Sequence, residues 1–250
     1  MTKTRIQKEA EFHDRTFGDE TVRQAADKYY SLMDVHRQYY MRFLRENCPR
    51  GRVLEFGCGP RSYSSISGAK GATVVGIDIS PVAIQEYNHN RTRNAAPGGG
   101  CVMNAEGLAF RNGTFDLVSG IAILHHLDLD KTYRELARAM KPGGKAIFLE
   151  PMGHNPLINV YRRMTPKMRT EDEHPLMVGD VNAARRYFDD VRVVPFNMLA
   201  LGAVPFRSTP LFRPVLAVLR ALDRALFTIP YMRRHAWTIA LVLSKPKVNG

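Results

Sequence analysis

Two glycines, Gly57 and Gly59, close the apolar run Val53–Phe56, and the carboxylate of Glu55 stands two residues before the first of them. Nineteen positions after Gly59, a second apolar run, Thr73 to Ile77, ends on Asp78. Glycine in such a turn lets the backbone come close to a ligand, because no Cβ stands in the way. An aspartate ending the neighbouring strand is placed to accept hydrogen bonds from both hydroxyls of a ribose. The two strand ends therefore predict the mouth of a nucleoside-binding crevice. A dinucleotide fold needs Gly-x-Gly-x-x-Gly or Ala, so that a helix start cradles a pyrophosphate. Here Pro60, Arg61 and Ser62 follow Gly59 instead. A carboxylate beside the turn repels phosphate and attracts a cationic amino group.

The stretch Glu55-x-Gly57-x-Gly59 resembles the first motif of class I S-adenosylmethionine-dependent methyltransferases, in particular their small-molecule branch. The resemblance continues in order through Asn104-Ala105-Glu106-Gly107-Leu108-Ala109-Phe110, Thr114–Val118 and Leu124-His125-His126-Leu127. It ends with Lys141-Pro142-Gly143-Gly144-Lys145 ahead of Ala146–Leu149 and Glu150-Pro151. Any one of these motifs is weak; together and in order they are specific. Two positions depart from the pattern. Arg61 replaces the third glycine, and Asn104 stands where an acidic residue is usual, although its carbonyl can still accept from an adenine amino group. The resemblance implies S-adenosyl-L-methionine as cofactor. Glu55 would face its amino group, Gly57, Cys58 and Gly59 would form the turn beneath it, and Asp78 would take the ribose. Ile79 would pack on adenine, Asn104 and Ala105 would meet the adenine edge, and Glu106 and Ile121 complete the set.

A methyl carbon on a sulfonium is already an electrophile, so catalysis rests largely on placing the acceptor lone pair behind it. An oxygen acceptor must also lose its proton to a base whose pKa lies near the working pH. A carbon acceptor needs such a base or an electron-rich aromatic or alkene. Candidate bases are His154, His126 and His125, with Glu150 to orient the acceptor or a histidine, and His174 as a weaker fifth. The plainer readings are loop anchoring for the histidine pair and backbone bonding for Glu150. His154, in the loop that leaves the fifth strand, is the preferred base. No His, Cys, Asp and Glu group has metal-site spacing; His125, His126, Asp128 and Asp130 are too bunched for a chelate.

Positioning these groups calls for a strand–helix alternation, and residues 52–150 supply one. Strands are expected at Val53–Phe56, Thr73–Ile77, Cys101–Met103, Phe115–Ser119 and Ala146–Leu149, and helices near Tyr63–Ser67, Pro81–Asn90 and Lys131–Met140. Asn94–Gly100 reads as a Pro/Gly linker, and Pro142-Gly143 as a type II turn. Apolar runs without strict alternation imply strands covered on both faces, hence a parallel sheet with right-handed crossovers. Before it, residues 1–50 form a helical lead-in with Phe12, Phe17, Tyr29, Tyr30, Leu32, Met33, Tyr39, Tyr40, Phe43 and Leu44 at helical spacing. That lead-in serves as a lid over the site or packs under the sheet. After Glu150, residues 151–180 read as a long loop lining the substrate pocket, followed by a helix at Val181–Phe188 and strands at Val191–Met198 and Ala236–Leu243. The resemblance makes these last strands an antiparallel hairpin at the edge. The fold class is thus α/β: a Rossmann-like seven-stranded sheet, mostly parallel with an antiparallel last strand, helices on both faces, and a helical insertion before the last strand. Residues 51–250 form the methyltransferase domain, with pocket segments at 151–180 and 205–235.

In that insertion Leu216, Leu219, Leu222, Leu226 and Phe227 share an apolar face, beside Arg213, Arg220, Asp223, Arg224, Arg233 and Arg234. A basic amphipathic helix suits peripheral membrane contact or an acyl or polyprenyl substrate, while packing on the sheet or in a homo-oligomer explains the same pattern. The chain has 250 residues, ample for a core, and a formal charge of +12. Its basic doublets, Arg162-Arg163, Arg185-Arg186 and Arg233-Arg234, are scattered, which describes a solvated surface better than a nucleic-acid track. Three cysteines, Cys48, Cys58 and Cys101, without metal spacing fit a reducing cytoplasm. No apolar run reaches the ~20 residues of a membrane span, and Met1–Asp14 is too polar for a signal peptide. The expected activity is methyl transfer to a small, rather apolar aromatic, isoprenoid or lipid-like metabolite of the kind found in natural-product pathways, oxygen before carbon before nitrogen. The alternatives are an RNA methyltransferase, favoured only by charge, and a non-catalytic scaffold that keeps the crevice.

Overall fold

The computed structural model describes residues 5, 11, 32, 34–48, 50–59, 71–93, 97–164 and 174–247. Seven strands form one sheet: β1 (Arg52–Phe56), β2 (Thr73–Asp78), β3 (Gly98–Val102), β4 (Phe115–Ile121), β5 (Met140–Pro151), β6 (Phe188–Phe196) and β7 (Thr238–Pro246). Their order is β3-β2-β1-β4-β5-β7-β6. The first five run parallel, and β7 lies antiparallel between β5 and β6. Strand order reverses between β1 and β4, and in open α/β sheets ligands bind beyond the carboxyl ends of strands at such a switch point.

Helices α1 (Asp34–Asn47), α2 (Pro81–Arg93) and α3 (Leu129–Ala139) accompany the parallel half; α4 (Pro156–Met164), α5 (Val178–Ala183) and α6 (Phe212–Leu226) follow β5. Neighbouring residues of each central strand face opposite layers. Val53, Leu117, Ile147 and Val242 meet Tyr40, Phe43 and Leu44 of α1. Leu54, Val118, Phe148 and Leu241 join the cluster that holds Tyr133 and Leu136 of α3. Burial on both faces explains the unbroken apolar runs. Helix α1 of the lead-in thus packs under the sheet. Phe12, Phe17, Tyr29, Tyr30 and Met33, the helix expected at Tyr63–Ser67, and residues 165–173 lie outside the described residues.

Four local expectations are corrected. Gly98–Gly100, read as linker, is strand β3: its glycines leave room for Tyr87 of α2, whose ring atoms would stand 2.7 Å from a Cβ on Gly100. The Asn88 amide then pairs with both the N–H (2.7 Å) and the carbonyl (3.2 Å) of Gly100, replacing a missing neighbour strand. Pro142-Gly143 is no type II turn, since Gly143 lacks the positive φ that turn requires. Extra residues are instead absorbed inside β5, where the register jumps between Phe115↔Met140 and Leu117↔Lys145. Residues 151–180 are not all loop: Asn155 caps α4 by accepting from the N–H groups of Leu157 (3.0 Å) and Ile158 (3.2 Å), and Pro156 takes the first helical position. Finally, the helix before β6 stops at Ala183, a 3-10 turn runs to Arg186, and β6 begins at Phe188; its exposed Asp189, Asp190 and Arg192 mark an edge strand.

Candidate active site

Strand β1 ends in a turn with Gly57 at φ +55° and Gly59 at φ +52°, the left-handed region open to glycine. A Cβ on Gly57 would lie 2.9 Å from Cδ1 of Ile123. The Cys58 N–H donates to the Ile77 carbonyl (3.0 Å), which ties the turn to the end of β2. There Asp78 is buried, with one oxygen accepting from Gly59 N–H (3.1 Å) and the other from Ser80 N–H (2.9 Å). Ser80 Oγ in turn accepts from Ala83 N–H (3.0 Å) and caps α2. One carboxylate thereby fixes the glycine turn against the head of the next helix.

Past β3 the chain makes an Asx turn: Asn104 Oδ1 accepts from Glu106 N–H (3.0 Å) and the Asn104 carbonyl from Gly107 N–H (3.2 Å). Glu106 accepts from Asp128 N–H (2.9 Å) and pairs with Arg5, whose guanidinium also donates to the His126 carbonyl. On the other side of the switch point, β4 ends at Ile121, and Ala122 takes φ +54°, a costly conformation for a residue with a Cβ. The 3-10 turn Leu124–His126 follows. Buried Glu150, near the end of β5, holds that turn: Oε1 accepts from Ile123 N–H (3.0 Å) and Leu124 N–H (2.9 Å), and Oε2 lies 2.7 Å from His125 Nδ1.

These pieces line one cleft. Of the residues expected there, Gly57, Gly59, Asp78, Ile79, Asn104, Ala105, Glu106, Ile121 and His126 do so. Arg5, Ile77, Met103, Ala122, Ile123 and Leu127 were not expected and line it too. The β4 end Ile121-Ala122-Ile123 is apolar and close in sequence to the histidine pair, a signal that could have found Ile123 and Leu127. Arg5 gave none. Glu55 sits within β1, buried, opposite Gly76 and Ser119. Cys58 is buried against Ile84 and Tyr87 beneath the turn. Burial pushes its thiol pKa far up, and the charges of Glu55 and Asp78 push it further. A field set by two carboxylates suits a cation at this turn, and the glycines leave a cradle that a Cβ would fill. Arg61 lies outside the described residues.

His125 stands behind the cleft on Glu150, its ring 4.2 Å from that of His126. His154 does not line the cleft. Its Nε2 accepts from Val178 N–H (3.3 Å), and its carbonyl accepts from His235 Nδ1 (3.0 Å). Burial, then Arg234 and His235, hold its pKa below the ordinary histidine value. His174 is exposed, 4.0 Å from Asp180. Among the described residues no three His, Cys, Asp or Glu side chains gather as a metal site.

The family model described as methyltransferase domain matches residues 54–148. Malonyl-[acyl-carrier protein] O-methyltransferase of Erwinia pyrifoliae is 32% identical over 128 residues, 50% of this chain and 47% of its own length. The chain spans about half the length of the curated relatives it matches. Among solved structures, Haemonchus contortus phosphoethanolamine N-methyltransferase 2 in complex with S-adenosyl-L-methionine gives a TM-score of 0.60 at 17% identity, covering 84% of this chain and 53% of that one. Geranyl diphosphate C-methyltransferase from Streptomyces coelicolor A3(2), in complex with Mg2+, geranyl diphosphate and S-adenosyl-L-homocysteine, gives 0.58 at 12%, covering 85% and 81%. At such identities the structures speak for the fold. Family match, ordered motifs, sheet order and cleft agree: residues 54–148 match a methyltransferase domain, set in the fold of the class I S-adenosylmethionine-dependent methyltransferases.

Proposed function

We propose that the protein transfers a methyl group from S-adenosyl-L-methionine to an oxygen of a small, rather apolar metabolite. The observation that carries this reading is the cleft, in which the buried Asp78 carboxylate and the Gly57–Gly59 turn share the lining with apolar Met103, Ile121, Ile123 and Leu127. When bound, the cofactor supplies a methyl carbon made electrophilic by its sulfonium. Asp78 accepts the ribose hydroxyls, Ile79 packs on the adenine, and Ala105 and Asn104 edge it. Because Asn104 Oδ1 already holds Glu106 N–H, the side chain comes preset rather than free to swing. Glu55, buried behind the turn, contributes its charge to the amino-group end. The N-, O- and C-methyltransferases similar to this chain share one fold, so the acceptor atom is not read from architecture. Oxygen is favoured by the Erwinia relative, whose 32% identity spans half this chain.

Proton removal from that oxygen falls to His126, the one of the four candidates that lines the cleft. His125 and Glu150 act on it indirectly by fixing the turn it stands on. A His126→Gln variant should lose turnover by on the order of 10²-fold with cofactor affinity kept. His154→Ala should retain turnover. The reverse pattern would return the base to His154. A methyl-labelled donor offered hydroxylated aromatic, isoprenoid and acyl compounds, their amine analogues and transfer RNA tests the acceptor class. Label is expected in the hydroxylated compounds; label in RNA alone overturns the reading.

A further inference from the structure

Among the described residues, helix α6 is covered on one side only. Its Leu216, with half-buried Phe212, Val215 and Leu219, packs on Leu32, Ile158 and Trp237. Asp223, one of the polar positions of the insertion, is buried and accepts from the N–H groups of Met198 (2.9 Å), Leu199 (2.7 Å) and Ala200 (3.2 Å). Arg220 is drawn inward as well, onto Asp34. The opposite side is apolar too: Pro214, Ala217, Val218, Ala221, Leu222 and Ala225 are all exposed, Val218 to 60% and Leu222 to 47%. Spaced at three and four residues, they form one stripe through the length of the helix. Exposed Arg213 and Arg224 border it, and exposed Ile229 and Tyr231 follow its end. Between Ala200 and His235 the chain has six arginines and a single acid, the buried Asp223.

We propose that this face of α6 docks on an anionic lipid surface, with the aliphatic stripe in the acyl boundary and Arg213 and Arg224 at the headgroups. A solvent-facing apolar stripe edged by arginine alone complements a surface that is both apolar and negative. A second copy fits poorly, because an isologous contact brings the same arginine-edged patch against itself. An acidic protein fits less well than lipid, since protein interfaces centre on bulky anchors in pockets, whereas this stripe is three alanines with one proline, one valine and one leucine. The proposal does not rest on the methyl-transfer reading.

Co-sedimentation with vesicles of equal parts phosphatidylglycerol and phosphatidylcholine, against vesicles of phosphatidylcholine alone, tests it. The full chain should partition onto the anionic vesicles at least about tenfold more strongly, and salt should weaken the binding. Val218→Glu with Leu222→Glu, and separately Arg213→Gln with Arg224→Gln, should each reduce binding about tenfold or more while circular dichroism and melting stay unchanged. Equal partitioning onto both vesicle types, or variants that bind as the parent does, overturns the proposal. Light scattering that shows a dimer broken by the glutamate pair also overturns it, because the stripe then belongs to a second copy.

Discussion

Asp78 shows how much one side chain carries. Its two oxygens hold Gly59 N–H and Ser80 N–H, so the group expected to grip the ribose also sets the turn on which the ligand rests. Replacing it with alanine should weaken cofactor binding by about 2–3 kcal/mol, the scale for losing charge-assisted hydrogen bonds, as calorimetry would show. An unchanged dissociation constant takes Asp78 out of the site. Asp78 was legible because a carboxylate closing an apolar run is rare without a ligand or a cap to serve, and here it serves a turn as well. His154 was not legible in the same way. Its distance in sequence from β5 suggested the pocket, but Met152 bridges to Leu176 and leads the chain along α5, where Val178 N–H takes the imidazole. His126 differs because a 3-10 turn, nailed down by Glu150, keeps it at the cleft wall.

At the scale of elements, the parts that sequence predicted well are those whose side chains report their surroundings. Strands β1, β2 and β4 are apolar runs buried on both faces and were found near their true bounds. Strand β3 was found only at its end, expected at Cys101–Met103 and running Gly98–Val102, because Gly98-Gly99-Gly100 has no side chains to report anything; the space they leave is read only from Tyr87. Helix α4 escaped although its Asn155-Pro156 start is a cap followed by the favoured first residue. Two buried carboxylates anchor elements here, and their removal should be costly. Asp223→Ala strands three backbone N–H groups at the start of the 3-10 segment Ala200–Phe206. Denaturant unfolding should show a loss of about 3 kcal/mol. Glu150→Ala should release the Leu124–His126 turn, lowering turnover more than cofactor affinity; equal loss of both would mean that the turn serves binding alone.

Across the whole molecule, the sheet is a rigid plate with its ligand mouth at the reversal between β1 and β4 and its stabilising layers on either face. One of those layers carries a pH-sensitive group. His36 of α1 is buried, its Nδ1 2.9 Å from Thr238 Oγ1 of β7, and its pKa is pushed down from 6.5 to about 4, by burial first and Arg37 second. The unfolded chain therefore takes up this proton before the folded one. Its contribution is full above pH 6.5 and is lost as pH falls through 4, about 3 kcal/mol in all. Unfolding free energy measured between those limits should fall less steeply in His36→Gln than in the parent; identical slopes would mean that the imidazole takes up its proton at the same pH in the folded and unfolded chain. The fold class and sheet content were legible because two-sided burial leaves its mark on every central strand, while the antiparallel β7 was implied by the motif resemblance alone. The outward stripe on α6 was not, since an apolar helical face in sequence looks the same whether protein or solvent covers it.

Isothermal titration of the full chain with S-adenosyl-L-methionine, and in parallel with NAD, tests the central claim most directly. The cleft built by Gly57, Gly59 and Asp78 predicts micromolar-scale or tighter binding of the sulfonium nucleoside and none of the dinucleotide. No heat from the former at millimolar concentration, or binding of NAD in its place, contradicts the account.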